Sequence, residues 1–308
     1  MLFMMNRAAS SALPDPAVLE EFGVAGEPVA TLPGGEGQSV QVGDLVLKPV
    51  DDVAEVTWCA EVLDRVAELG FRVARPARGS RGEFVVDNWS AARRVDGVNG
   101  NDPGTDWAGL LSAARAFHEA IRDEPRPSFL DRREHRWAVA DRVAWDEAQY
   151  TPLTQVAERF HTLQSLLRPV EAVNQVIHGD LTGNVLFAAG QAPAIIDFSP
   201  YWRPASYADA IVAVDGLLWY GAGPELVRLA ATGADFPQML VRASLFRLVA
   251  LDGMARIFGT SDLENELKPF DPVIAYIKDP MVGATRSPQA ADATHTSNND
   301  PRSTTRTH

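Results

Sequence analysis

The stretch QVIHGDLTGNVLFAAGQAPAIIDFSPY, from Gln175 to Tyr201, gathers His178, Asp180, Asn184 and Asp197 within a short span. Two apolar runs bracket a polar loop that carries the first three, and the second run delivers Asp197 at its end. If these runs are neighbouring strands, three oxygen-bearing side chains converge at their ends. A hard magnesium ion takes carboxylate, amide and phosphate oxygens, which suits Asn184 and Asp197, and a further carboxylate at Asp180 can orient an acceptor hydroxyl. Those are the requirements of phosphoryl transfer. The plainer alternative makes HGD a turn, with Asp180 and Asn184 capping local backbone and Asp197 ending a strand. A lone HGD or a lone IIDF would not decide the matter, but the ordered set at close spacing favours chemistry.

A second group lies upstream. Lys48, in VLKPV, is the first lysine of the chain, the next being Lys268. It sits in an apolar run where a solvated lysine is out of place, so it is expected to face a cleft; an edge-strand lysine snorkelling beside Pro49 is the alternative. Gly34, Gly35 and Gly37 precede Gln38 and Ser39. Glycine lets backbone N–H groups approach phosphate oxygens, which makes Gly35, Gly37, Gln38 and Ser39 candidates for a phosphate-covering flap. No Gly-Lys-Ser/Thr follows, and Val40 stands where a full GxGxxG would place its last glycine. A bare hairpin turn is therefore the competing reading.

The elements that must carry these residues follow from changes in hydrophobic period. Residues 32 to 50 read as strand, turn, strand about Gly43-Asp44. Val53, Val56, Ala60, Leu63 and Val66 keep helical spacing over 52 to 69, with Asp51 and Asp52 where a helix dipole favours acid and Gly70 as the stop. The segment Phe84 to Val95 alternates as strand, and the polar stretch Gly97 to Gly104 reads as a connector. From Asp106 the pattern turns helical, with Trp107, Leu110, Leu111, Ala114, Phe117 and Ile121 on one face. Residues 136 to 149, 153 to 167, 206 to 220 and 236 to 258 behave alike, and only 175 to 178, 184 to 188 and 193 to 198 interrupt them as short β-like runs. Strands first and helices later is the α+β order. Both ends are polar and small-residue-rich and read as tails. The expected organisation is a tail over 1–16, a β-rich lobe over 17–97, a mainly helical lobe over 98–278 and a second tail over 279–308.

His178-Gly179-Asp180, Asn184 and Asp197 resemble the catalytic loop and following strand of the aminoglycoside phosphotransferase and choline kinase family, and the resemblance runs from about Pro16 to Ile277. It implies a bilobal protein-kinase-like fold and a small-molecule kinase using ATP and Mg2+. It implies Asp180 as catalytic base, Asn184 and Asp197 as metal ligands, and His178 as a structural residue of the loop. Lys48 would contact the α and β phosphates and pair with an acid on the next helix. Glu61 is preferred to Glu55 for that acid, because it lies deeper in the helix, upstream of ELGFRVARP. The resemblance further makes Ala91 to Val98 the hinge that meets adenine, His118 a packing or capping residue, and Asp209 or Asp215 the brace of the catalytic loop. Arg203 is either a phosphate or carboxylate contact or a surface arginine stacked on Trp202. One departure stands out: Leu181, Thr182 and Gly183 separate Asp180 from Asn184, where the family has four residues. A missing residue moves the Asn carbonyl by up to about 3.5 Å unless Gly183 adopts an unusual backbone conformation. This Leu-Thr-Gly-Asn form resembles a branch associated with actinobacteria.

Composition narrows the remaining choices. A chain of 308 residues, 46% of them hydrophobic, can bury a full core. The single Cys59 allows no internal disulfide and fits a reducing cytoplasm. No leader-like segment opens the sequence, and the most apolar run, Ala210 to Tyr220, is broken by Asp215, so neither secretion nor a membrane span is expected. A formal charge of -13 argues against nucleic acid and suits a cationic hydroxylated small molecule, or serves solubility alone. HExxH, paired CxxC and GxSxG patterns do not occur. Three functions remain: a phosphotransferase acting on a small-molecule hydroxyl; a nucleotide-binding pseudokinase, which the short loop and incomplete glycine pattern would suit; and a kinase acting on protein, disfavoured because no recognisable activation segment follows Asp197.

Overall fold

The computed structural model describes residues 13–32, 39–99 and 105–279. Gly34, Gly35, Gly37 and Gln38 of the expected flap lie outside them. Helix α1 (Pro16–Glu21) starts where the Asp15 carboxylate accepts the Ala17 N–H at 2.9 Å and proline opens the first turn. Its Val18 and Leu19 pack beneath an antiparallel sheet with Val40, Val42, Leu45, Leu47, Trp89 and Ala91. Strands β1 (Val29–Thr31), β2 (Val40–Val42) and β3 (Leu45–Pro49) follow, with Gly43 at φ +58 turning β2 into β3 as the Gly43-Asp44 signal predicts.

Helix α2 (Val53–Arg65) is capped by Asp52, whose carboxylate accepts from the N–H groups of Ala54 and Glu55. It ends at Val66, ahead of the Gly70 stop expected from the sequence. The cause is Arg75: its guanidinium donates to the carbonyls of Leu63, Asp64 and Val66 and so satisfies acceptors left open by the early end. Strands β4 (Arg72–Val73), β5 (Pro76–Ala77), β6 (Val85–Val86) and β7 (Trp89–Arg93) come next. The single strand expected over 84 to 95 is thus a hairpin, because Asp87 and Asn88 take φ of 44 and 60 and fold β6 back on β7. The sheet runs β1-β2-β3-β7-β5, with β6 also beside β7.

Beyond the connector strand β8 (Val98–Asn99) the chain becomes helical. Helix α3 (Trp107–Ala120) is capped by Asp106 through the Gly109 N–H at 2.8 Å, and α4 (Arg136–Ala144) and α5 (Thr154–Ser165) follow a 3-10 turn at Ser128–Arg132. Then come β9 (Gln175–His178), β10 (Val185–Phe187), β11 (Ala194–Ile195), β12 (Pro200–Arg203), α6 (Ala205–Trp219), α7 (Pro224–Ala230), α8 (Phe236–Phe258), α9 (Leu263–Leu267) and α10 (Phe270–Lys278). Strand β10 pairs antiparallel with β8 and β11, and β11 pairs in parallel with β4, so this small sheet joins the two halves of the sequence. Strand β12, unforeseen in the sequence, pairs with β9 and sets Tyr201 opposite Ile177. One large core, including Phe117, Phe160, Ile177, Leu181, Tyr207 and Phe246, fills the helical half. Among the described residues, no helix is long and apolar enough to cross a membrane.

Candidate active site

The loop from β9 to β10 carries Asp180 and Asn184, and two histidines fix its base. His178 is fully buried; its Nε2 lies 3.1 Å from the Ile196 carbonyl, while its Nδ1 accepts the Asp180 N–H at 3.2 Å. The ring therefore carries its proton on Nε2 and ties the loop to the strand that delivers Asp197. Burial holds its pKa below the usual imidazole range. His118, from α3, accepts the His178 N–H on Nε2 at 3.0 Å. Burial, with His178 beside it, pushes its pKa down to about 3, so it packs as a neutral acceptor. The expected structural roles of both residues agree with this geometry.

The short loop closes through Gly183, which takes φ +86, the unusual conformation a three-residue spacing requires. Asn184 Nδ2 then donates to the Asp180 carbonyl at 2.7 Å and to Asp180 Oδ2 at 3.3 Å. A hydrogen bond from the Ile196 N–H to the Asn184 carbonyl, 2.9 Å, brings Asp197 alongside. Asp197 itself has φ +51, an uncommon value for a non-glycine residue and one that marks it for a positional role. Because the Asn184 amide nitrogen is engaged by Asp180, Asn184 Oδ1 and Asp197 Oδ2 have no hydrogen-bond partner among the described residues. Two such oxygens on adjacent backbone suit a hard divalent cation. Among the described residues no cluster of three or more His, Cys, Asp or Glu could hold a metal, so phosphate or water oxygens would have to complete the shell.

The other Asp180 oxygen reveals a residue that the sequence reading missed. Arg247, from α8, donates from Nη2 to Asp180 Oδ1 at 3.0 Å, and its Nε and Nη2 hold Asp215 at 2.7 and 2.6 Å. Arg247 and Asp215 are 3% and 2% exposed. Burial acts to lower the Arg247 pKa, but Asp215 and Asp180 outweigh it and hold the guanidinium above its ordinary range. Of the two candidate braces, Asp215 therefore acts through Arg247, whereas Asp209 pairs with Arg115 at 2.8 Å. The available signal was a charge within the apolar run SLFRLVAL.

A cleft of about 550 Å3 lies between the β-rich and helical halves and is lined by residues from both, including Ser39, Lys48, Glu55, Asn184 and Asp197. Of the stretch expected to form the hinge, Ala91 to Val95 and Gly97 are part of its wall. Lys48 Nζ makes an ion pair with Asp197 Oδ1. The expected pairing of Lys48 with Glu61 is not found: Glu61 is exposed and lies off the cleft wall, because the cleft-facing stripe of α2 is Glu55, Val56, Cys59, Ala60 and Leu63. Glu55 is taken in turn by Arg133, whose Nε donates to Oε2 at 2.9 Å. Arg203 likewise departs from both of its readings, since it is buried with Asp141 and Glu147, each at 2.7 Å, and stacks over Trp145. Burial pushes the Cys59 thiol up, which leaves it without nucleophilic character.

A β-rich half and a helical half, with a cleft between them that Asn184 and Asp197 line and Asp180 beside Asn184, define a protein-kinase-like phosphotransferase fold. The sequence profile of the phosphotransferase enzyme family, APH, matches residues 13–239, and the chain belongs to that family. Similar solved structures include an aminoglycoside phosphotransferase from Alicyclobacillus acidocaldarius, with TM-score 0.60, 14% identity, and coverage of 87% of this chain and 94% of the other. An amicoumacin kinase in complex with AMP-PNP and Ca2+ gives TM-score 0.56, 15% identity and coverage of 82% and 88%. A spectinomycin phosphotransferase in complex with ADP and its antibiotic gives 0.54, 15%, 85% and 95%. Among curated proteins, none matches the sequence.

Proposed function

We propose that the protein transfers the γ-phosphate of ATP, with Mg2+, to a hydroxyl group of a small molecule. The observation that carries this is the meeting of Lys48 with Asp197, far apart in sequence, in a cleft that Asn184 also lines, with Asp180 hydrogen-bonded to Asn184. Lys48 offsets phosphate charge, with Ser39 in the same cleft wall. Asn184 Oδ1 and Asp197 would hold the magnesium ion, whose chemistry is to neutralise charge on the β- and γ-phosphate oxygens. Asp180, fixed by Arg247 and Asn184, orients the acceptor hydroxyl and takes its proton as the new O–P bond forms and the bond to ADP breaks. Transfer is direct, without a phosphorylated enzyme. The lobes span 17–97 and 98–278, and the site of action is the cytoplasm. The spectinomycin phosphotransferase and the amicoumacin kinase of similar fold act on antibiotics, and the charge of -13 favours a cationic acceptor.

A second reading, a nucleotide-binding pseudokinase, draws on the ion pairs seen here, because Lys48 occupies a proposed metal ligand and Glu55 is committed to Arg133. Binding of Mg-ATP in a thermal-shift titration without turnover is its signature. The decisive experiment is Asp180→Asn: folded protein that keeps full ATP-dependent phosphorylation or ATPase activity sinks the enzymatic reading.

A further inference from the structure

A second cavity, of about 260 Å3, opens in the helical half among the turn at Ser128–Arg132, α4 and β12, and it shares no lining residue with the nucleotide cleft. Four arginines and three carboxylates line it, yet most of these charges already neutralise one another. Arg126 holds Asp131 at 3.0 and 2.6 Å, and Arg203 holds Asp141 and Glu147. Arg133 reaches out of the cavity to Glu55. Arg142 is the exception. This half-buried guanidinium donates from Nη1 to the Arg133 carbonyl at 2.8 Å and makes no ion pair among the described residues, Asp141 acting on it only across space. A second group in the same wall is equally unanswered: Tyr201 is 7% exposed, and its hydroxyl has no hydrogen-bond partner among the described residues. Arg203 holds two carboxylates, so the wall is neutral as a whole. A hydroxyl and a guanidinium with open donors on one cavity nonetheless suit a compact acceptor, and charge-assisted bonding favours one that carries negative charge.

We propose that this cavity binds a small metabolite through a carboxylate or phosphate group, taken by Arg142 and the Tyr201 hydroxyl. The volume, just under the usual range of about 300–1,000 Å3 for drug-sized ligands, limits the guest to a compact anion. The already paired arginines give the wall its polarity without competing for the ligand. The Arg133–Glu55 ion pair connects the site to α2 and the nucleotide cleft, so occupancy is placed to be felt there.

The proposal does not depend on turnover. Inorganic phosphate and citrate are titrated separately by calorimetry onto wild type, Arg142→Gln, Tyr201→Phe and Lys48→Ala. The expected result is binding of at least one anion to wild type and to Lys48→Ala, weakened about tenfold or more by Arg142→Gln. Tyr201→Phe removes a hydroxyl that holds nothing in the fold and weakens binding by a smaller factor, which keeps the test readable if Arg142→Gln folds poorly. Which anion binds more tightly separates a phosphate from a carboxylate ligand. The proposal is overturned if neither anion binds, if Tyr201→Phe and Arg142→Gln both bind as wild type does, or if Lys48→Ala alone abolishes binding and so places the anion in the cleft.

Discussion

Replacing Arg247 by Met should separate two jobs that one guanidinium performs. In the fold, Arg247 neutralises Asp215 in a core where both are almost fully buried. Removing the cation leaves an uncompensated buried carboxylate, at a cost of about 3–5 kcal/mol. Because thermal midpoints of larger domains move by about 2–4 °C per kcal/mol, the melting temperature should fall by on the order of 10 °C. The double variant Arg247→Met/Asp215→Leu removes the stranded charge as well and should recover most of that loss, since apolar replacement of a whole buried pair is often neutral. Activity should not recover. Asp180 loses its 3.0 Å donor in both variants, and a hydrogen bond between charged groups contributes about 1.5–3 kcal/mol, or roughly 10- to 100-fold in turnover. Differential scanning fluorimetry and Mg-ATP hydrolysis with water as acceptor read the two quantities separately. A single variant that melts within about 2 °C of wild type, or a double variant with wild-type turnover, would refute the account of Asp215, Arg247 and Asp180 as one chain.

Further outcomes follow from single residues. His118 has a folded pKa of about 3 against an ordinary 6.5, so the stability it contributes is complete above about pH 6.5 and is lost as pH falls toward 3. His118→Gln, which keeps an acceptor for the His178 N–H, should flatten the acid limb of a urea-denaturation series, and an unchanged limb would contradict the buried neutral imidazole. Gly183→Ala forces φ +86 on a residue with a Cβ, at about 1–2 kcal/mol, and should lower both the melting temperature and Mg2+-dependent nucleotide binding. Retained magnesium dependence would show that Asn184 is not held by that turn. Lys48→Ala should weaken ATP binding in calorimetry by about tenfold or more, and equal affinity would remove Lys48 from the nucleotide site.

What the sequence made legible divides along a physical line. Local rules carried the elements: Asp52 and Asp106 announce helix starts, Gly43-Asp44 announces a hairpin, and the switch from strands to a helical period announces the α+β order. The end of α2 escaped because it is decided by Arg75, a side chain from beyond the helix, and β12 escaped because its pairing to β9 is non-local. Asp180, Asn184 and Asp197 were visible because they fall within one short span of the sequence. Partners set by tertiary contact were not. Glu61 and Glu55 both lie on α2, and only the fold decides which faces the cleft. Arg247 lies far along the chain from Asp180, yet a lone charge inside SLFRLVAL must be paired once buried, because an isolated buried cation costs several kcal/mol. The same rule narrows its partner to Asp209 or Asp215, the two buried charges of α6, a helix that packs on α8, and only the fold decides between them. Charges embedded in apolar runs are thus a readable signal of tertiary pairing, and here the pair they form is the one that holds the Asp180 carboxylate.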